Sequence, residues 1–441
     1  MDISNQNLDT TKTDAKNLWK EIDNAEYQYN ATIFSADSTT ESDETTSLLK
    51  RVNIMDLEKR KEVYGLCGEC NEPGTGYLWC QPCNAKRFEE NFKNWTSGNK
   101  NIDELIQQSQ LNAFFCTKFL EWIPFEKFEN VTYLTRGGFS KIYSAYWPEG
   151  NIGHWDIENQ KWIRGSRKVA LKSLNNSSNI SNDFLNEIKY YISGHFPAMN
   201  TVICFGITQD PNTKDYMMVL QYFEGGNLRN TLVEGLKLKT KIEYLFCIID
   251  GLSGIHDAGN IHKDFHSGNI LYNNHNDILS ISDLGMCQPV NDNERKGICG
   301  VIPYMAPEVL RGYQYTKAAD IYSFGIIMNE LMSERIPYND IPHDQFLVVK
   351  ICKGFRPKIS EDTPKLIVDL IIKCWDAKAE NRPTTKELRQ ILEKYLDDVD
   401  DEEPVNSTNY LSSFQEPISS SSTNPISERL DCELNELDLD E

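Results

Sequence analysis

Three absences bound this sequence before any motif is considered. No run reaches the ~18 consecutive apolar residues that a membrane helix needs, so no membrane partner is expected. The first residues, MDISNQNLDTTK, hold neither a basic stretch nor an apolar one. No secretory signal is therefore expected, and the default setting is cytoplasmic, with nuclear as the alternative. Positive charge is also scarce: 45 Lys and Arg face 66 Asp and Glu, a formal net of −21. Residues 397–441 alone carry 14 acids and one base, Arg429, so the first 396 residues hold only −8. The excess is a property of a tail, and it argues against a non-specific nucleic-acid or anionic-membrane binder.

What is present suits a soluble protein of two or three units, with 25% charged and 39% apolar residues over 441 positions. Residues 1–60 are rich in Asn, Asp, Ser and Thr. The stretch SADSTTESDETTS (35–47) has almost nothing to bury, so this region is expected to be largely disordered, with a helix possible around 14–27. A compact Cys/Gly/aromatic module follows over 61–88. A helical linker over 89–125 comes next: Phe88, Phe92 and Trp95 recur at helical spacing, Ser97–Gly98 gives a stop, and 102–113 reads as a second amphipathic helix. Whether these helices pack or merely act as spacers is left open by the pattern.

From 126 to 397 the pattern is first strands, then helices. The β-runs are 131–134, 141–147 and 168–174, the last two separated by a long excursion with Trp155 and Trp162. A helix over 182–191 and strands over 202–208 and 216–222 follow, and beyond Gly226 the chain reads as helical to Leu396. Strands followed by helices predict an α+β unit. The remainder, 398–441, is acidic, low in complexity and expected to be disordered.

Twelve cysteines divide into two groups. Cys67-Gly-Glu-Cys70 and Cys80-Gln-Pro-Cys83 form two CxxC turns, nine residues apart, with Gly74 and Gly76 between. Each turn presents two sulfurs to one metal, so the expectation is a structural zinc; free or redox-active thiols and disulfides are the alternatives. The other eight are scattered and expected to be reduced and mostly buried. Only Lys86, Arg87 and Lys93 flank the module, so it suits a protein partner better than a nucleic acid.

Eight short segments then recur in a fixed order. They are RGGFSKIY (136–143), VALK (169–172), FLNEI (184–188), IHKDFHSGNIL (261–271), SDLG (282–285), PYMAPEVL (303–310), DIYSFG (320–325) and CWDAKAENRP (374–383). Taken singly, each is an ordinary strand, turn or helix. In series they resemble the protein kinase family, and within it the tyrosine-kinase-like group. Residues 60–396 also resemble the expanded kinase-like families of mycorrhizal fungi, in which a CxxC pair precedes the kinase domain.

The resemblance implies a bilobal fold, a small β-sheet lobe plus a helical lobe, using ATP and magnesium on a protein substrate. Phosphoryl transfer asks a protein mainly to position and to balance charge. By the resemblance, Lys172 holds the phosphates and Glu187 fixes it. Asp264 is the catalytic carboxylate, and Asn269 and Asp283 give oxygens to magnesium. Leu134, Ile142, Ala170 and Leu271 are implied as apolar walls for the base, Leu220 as the residue at the back of the pocket, and backbone groups of Gln221 and Phe223 as its partners. Gly137 and Gly138 belong to the phosphate loop. Asp320 is implied to brace the catalytic loop, and Arg382 to pair with Glu308.

Departures from the family pattern matter as much. The three glycine places of the phosphate loop read Thr135, Gly137 and Ser140, which predicts weakened nucleotide affinity rather than lost binding. Lys263 stands where Arg is usual, His266 where serine/threonine kinases have Lys, and Val301 where they have Thr. The tyrosine-kinase pattern is absent too, so serine/threonine transfer is the expectation and tyrosine stays open. His266 also brings a group of the type that titrates near neutral pH. Between Leu284 and Ala306 the sole hydroxyl is Tyr304, and Lys263 is a poorer phosphate fork than Arg. Activity is therefore expected not to depend on phosphorylation of that segment. Two rivals remain: a pseudokinase scaffold, favoured by the thinned loop, and a platform whose zinc module and tails are the working parts. The complete polar set favours catalysis.

Overall fold

The computed structural model describes residue 19 and residues 56–136, 140–174, 180, 182–192, 200–232, 235–274, 277–289 and 300–398. The disorder expected over 1–60 and 398–441, and the helix expected around 14–27, lie outside these residues except for Trp19, 56–60 and Asp398. Within 56–60 the chain is ordered: Asp56 accepts from Lys59 N at 2.9 Å and starts helix α1, Leu57–Tyr64. Among the described residues no helix is long and apolar enough to cross a membrane. The chain divides into two compact units.

The first unit takes the described part of 1–129 together with 146–167. After α1 come α2 (Gln81–Asn91), which starts on Cys80 with Pro82 in its first turn, and α3 (Lys100–Leu111), capped by the Asn99 side chain. The expected helical spacing through Trp95 ends earlier: a 3-10 turn, Phe92–Asn94, follows α2 and Trp95 is extended. The core is aromatic. Trp79, Phe88, Ala113, Phe119 and Ile152 are buried together with Trp162 against them. Trp79 stacks on Phe119 at 5.5 Å, and Phe88 on Trp162 at 5.1 Å. Such pairs add about 0.5–1.5 kcal/mol each beyond their buried area. The Trp79 indole N–H is satisfied by Ala113 O at 2.8 Å.

Trp162 reaches this core because the long excursion is not a loop. The strands Ser140–Asp156 and Lys161–Leu174 run on past their expected ends, and a four-residue turn joins them. Asp156 Oδ1 accepts from Glu158 N and Asn159 N, and Gln160 takes a positive φ of 51°. Gly150, at φ 63°, is required: a Cβ there would lie 1.6 Å from Gly165 O. The sequence hid the extension because Pro148 and glycines interrupt its β-run.

The second unit holds 130–145 and the described residues from 168 onward. Its sheet is built from β1 (Glu129–Arg136), β2 (Ser140–Asp156), β3 (Lys161–Leu174), β4 (Cys204–Gln209) and β5 (Tyr216–Gln221), in the order β4-β5-β3-β2-β1. Helix α4, Asn182–Ile192, falls between β3 and β4. In register, Ala170 faces Leu220 and Lys172 faces Met218.

The helical part follows with α5 (Leu238–Asp257), α6 (Lys317–Ser333), α7 (Lys365–Cys374) and α8 (Thr385–Asp398). Every residue of α6 from Ala319 to Met332 is buried, so this helix is the centre on which the others pack. The expectation of helices alone beyond Gly226 needs one correction. The strands Ile270–Asn273 and Ile278–Ile281 pair antiparallel, and Asn260–Ile261 pairs with Gln288–Pro289. Such short apolar runs cannot be told from helix segments by periodicity.

Candidate active site

Strand β3 and helix α4 each bring one charge to a common point in the second unit. Lys172 Nζ lies 2.5 Å from Glu187 Oε1 and 2.9 Å from Asp283 Oδ1. Lys172 and Glu187 are 5% and 3% exposed, so neither is an ordinary surface pair. Burial works against the Lys172 charge, but the Asp283 and Glu187 carboxylates outweigh it and hold the ammonium well above the usual lysine value. Burial raises Glu187, which shares that single ammonium. Burial also pushes on Asp283, yet Lys172 prevails and its carboxyl falls below the ordinary value.

The backbone at Asp283 is left-handed, φ 57°, and two residues on, Gly285 lets it pass Glu187 closely: a Cβ there would meet Glu187 Oε2 at 2.8 Å. The expected loop residues lie in the same unit. Asn269 Nδ2 donates to Asp264 O at 2.9 Å and approaches Asp264 Oδ2 at 3.4 Å. Ser282 N donates to Asn269 O at 2.8 Å, tying the turn that carries Asp283 to the one that carries Asn269. The Asn269 amide oxygen and the Asp283 carboxylate are oxygen donors, the type that magnesium prefers.

The loop itself hangs from α6. Asp320 accepts from His262 N at 2.8 Å, from Lys263 N at 3.0 Å, and meets His256 Nε2 at 2.8 Å. Lys263 is thereby held at a positive φ of 69°. Arg382 meets Glu308 in a fork, at 2.6 and 2.8 Å, and also donates to Ala318 O. Sequence reasoning missed the bracing part of His256. It also missed a buried knot in which Tyr304 O–H donates to Glu330 at 2.6 Å while Ser267 and Arg229 reach the same hydroxyl. An acid following the apolar run Phe324–Met328, as Glu330 does, was the available signal.

The expected base-binding residues differ in exposure. Leu220 and Phe223 are buried, whereas Ile142, Ala170 and Leu271 are half-buried and so keep apolar surface open. Ala170 faces Leu220 across the sheet, and Leu271 is bridged to Asn227 from the other side. Gln221 N–H donates to Ile203 O at 2.8 Å. Leu134 is 44% exposed on β1. Gly137 and Gly138 lie outside the described residues.

In the first unit the four thiols of Cys67, Cys70, Cys80 and Cys83 come together, every Sγ within 4.8 Å of the others. Cys67 and Cys83 are 3.9 Å apart, Cys70 and Cys80 3.6 Å. A tetrahedron with metal–sulfur bonds of ~2.3 Å has edges of about 3.8 Å, so the set fits one ion. A disulfide needs about 2.05 Å, so these are not disulfide pairs. Hydrogen bonding within the cluster draws the Cys67 thiol down and pushes the Cys80 and Cys83 thiols up, so the quartet favours one thiolate until a cation offsets further negative charge. The neighbouring Arg87 pairs with Glu69 and lies 4.3 Å from the Trp155 ring centre.

With this geometry in view, comparison with known proteins is decisive. Residues 128–392 match the model of the protein tyrosine and serine/threonine kinase family. The chain belongs to that family. A probable serine/threonine-protein kinase of Dictyostelium discoideum is 26% identical over 59% of this chain and 19% of its own length. The dual specificity protein kinase pyk3 of the same organism is 28% identical over 66% of this chain and 20% of its own. The serine/threonine-protein kinase VIK of Arabidopsis thaliana is 29% identical over 60% of each chain. This kinase-family chain thus matches about a fifth of the first two relatives and 60% of the third.

Proposed function

We propose that the chain transfers the γ-phosphoryl group of ATP to protein hydroxyls, to serine and threonine ahead of tyrosine. The observation that carries this reading is the meeting of Lys172 with Glu187 and Asp283, next to the tied turns of Asp264 and Asn269. In this reading Glu187 orients Lys172 toward the phosphates, and Asp264 takes the acceptor proton. Asn269 and Asp283 hold magnesium, which, when bound, offsets phosphate charge. Ile142, Ala170, Leu220 and Leu271, with backbone of Gln221 and Phe223, enclose the base, and Leu134, Gly137 and Gly138 complete the cover. Two of the three relatives are serine/threonine-protein kinases by name and one is a dual specificity kinase, which supports this acceptor order.

The same proposal takes the four cysteines as a zinc site, since all-thiolate tetrahedra select that ion. It places the chain in a reducing, cytoplasmic or nuclear setting and near the tyrosine-kinase-like and expanded fungal families. It divides the chain at 61–88, 89–125 and 126–397. Thr135 in the phosphate loop favours one second reading, a partner-binding scaffold with little catalysis.

The test is phosphate transfer to a library of Ser, Thr and Tyr peptides, by wild type and by Asp264→Asn. Transfer to Ser and Thr that Asp264→Asn abolishes supports the proposal. Background signal from both proteins would instead support the scaffold.

A further inference from the structure

Asp250 of α5 is 8% exposed, a burial that a carboxylate keeps only with partners. Two side chains meet it, one at each oxygen. Arg389 of α8 brings Nε to 2.7 Å from Oδ1, and Asn200 Nδ2 donates to Oδ2 at 2.6 Å. The Arg389 guanidinium also lies 5.7 Å from the ring centre of Phe246, one turn before Asp250 on α5. A cation on the last helix and an amide just ahead of β4 thus share one buried acid.

Asn200 passes this anchorage on through its main chain. Ile281 N–H donates to Asn200 O at 2.9 Å, and Val202 N–H donates to Ile281 O at 3.0 Å. Residues 200–202 therefore run parallel beside Ile281, the end of the strand Ile278–Ile281. Gly251 of α5 makes room: a Cβ there would lie 2.7 Å from Asn200 O and 2.9 Å from Ile281 Cδ1. Ser282 N–H then donates to Asn269 O, and Asp283 follows at φ 57°. A left-handed aspartate persists only where its flanks are held, and Ile281 is one of those flanks.

We infer that Arg389, Asp250 and Asn200 are positioning residues for Asp283. The ion pair fixes the Asp250 carboxylate, the carboxylate fixes the Asn200 amide, and the Asn200 main chain fixes the strand end that leads to Asp283. The three act through the strand rather than on the reacting atoms. This rests on the reading of Asp283 as a magnesium ligand. Its consequence is that a charge on α8, far from Asp283 in the chain, sets the affinity for magnesium nucleotide.

Two measurements on the full chain test the inference. Hydrogen exchange read by mass spectrometry over 278–283 follows the strand end without nucleotide. Arg389→Met, which removes the charge and keeps a long stem, should speed exchange there, as should Asn200→Ala. Calorimetric titration with magnesium and ADP reads the site itself. Each of these variants should bind Mg·ADP about tenfold more weakly than wild type. The double variant should be no weaker than the worse single, because one path carries both effects. Arg389→Lys should recover most of the loss, since an ammonium keeps the ion pair. Leu392→Ala, a cavity elsewhere in α8, should lower Tm while its Mg·ADP affinity stays within about twofold of wild type. Wild-type affinity in Arg389→Met and Asn200→Ala overturns the inference, whatever the exchange shows. So does an equal loss in Leu392→Ala, which would make destabilisation alone the cause. If Asn200→Ala does not fold, Arg389→Met against Arg389→Lys decides. A wild type that binds no Mg·ADP overturns the reading of Asp283 and this inference with it. One that binds Mg·ADP but transfers nothing overturns the transfer reading alone.

Discussion

Glu187 Oε1 sits 2.5 Å from Lys172 Nζ with both side chains buried, so Lys172 is the main offset to the burial of Glu187, while Glu187 acts with Asp283 to offset that of Lys172. Removing one partner of such a pair costs about 3–5 kcal/mol, whereas replacing both by apolar groups is often close to neutral. Lys172→Met should therefore lower Tm and abolish transfer. The double variant Lys172→Met, Glu187→Leu should regain most of the Tm while transfer stays at background. Thermal melts beside a phosphorylation assay check this. Transfer returning together with stability would remove Lys172 from the chemistry.

The pH dependence around Asp283 has a definite sign. Its folded pKa lies below the ordinary 3.8 through the nearby Lys172 ammonium. The stability it adds is therefore present above 3.8 and is lost as pH falls through the lower folded value. Denaturant unfolding should show its contribution unchanged between pH 7 and pH 5 and lost only in strong acid. Asp283→Asn should flatten that acid limb. An unchanged limb would assign acid sensitivity to other groups.

Arg382 is fully buried and donates to Glu308 and to Ala318 O. Truncation leaves a carboxylate and a carbonyl without their donors. Arg382→Ala should cost about 3–5 kcal/mol, and Arg382→Lys should recover only part because an ammonium cannot fork. Urea unfolding gives the comparison. A loss under about 1 kcal/mol would show the fork to be energetically ordinary.

Chelation should act on the first unit. The turn bearing Cys80 continues into α2, and Phe88 of α2 stacks on Trp162 while Trp79 lies beside the same ring. Metal removal is expected to redden and broaden tryptophan emission, and Cys67→Ser should give the same spectrum without chelator. Metal analysis should return one zinc per chain. Zinc-free protein with unchanged emission would mean the thiols fold the module alone.

Phosphatase treatment is expected to leave activity intact. Tyr304, the sole hydroxyl between Leu284 and Ala306, is 3% exposed and donates to Glu330. Tyr304→Phe should preserve insensitivity to phosphatase while lowering Tm by a few degrees, the scale of one buried hydrogen bond of about 1 kcal/mol. Mass spectrometry finding a phosphate in 284–306 whose loss abolishes activity would contradict this.

Much of the site was legible because its residue types leave few alternatives. A lysine inside Val-Ala-Leu-Lys and an aspartate before Leu-Gly are polar groups where burial would forbid them without partners, and the structure brings those partners to 2.5 and 2.9 Å. Arg382 and Glu308 were paired across 74 positions by motif order, and they meet. Less was legible where side chains answer to neighbours distant in sequence. The excursion with Trp155 and Trp162 was given no element by the sequence pattern, since Gly150 and Pro148 break the β-run, and it is a hairpin packed on Trp79 and Phe88. His256 looked like an ordinary helix residue until Asp320 was found 2.8 Å away.

By itself the sequence determined the order of the strands and helices, the two CxxC turns and the polar set Lys172, Glu187, Asp264, Asn269 and Asp283. These follow from local spacing and from what each side chain can do chemically. Only the tertiary structure decided that Lys172 serves two carboxylates at once, that the Trp162 hairpin joins the cysteine module's core, and that His256 meets Asp320. The physical reason is common to all three. A buried imidazole's partner, a shared ammonium and an aromatic stack depend on atoms far apart in the chain meeting within a few ångströms, and spacing along one strand or helix does not encode that.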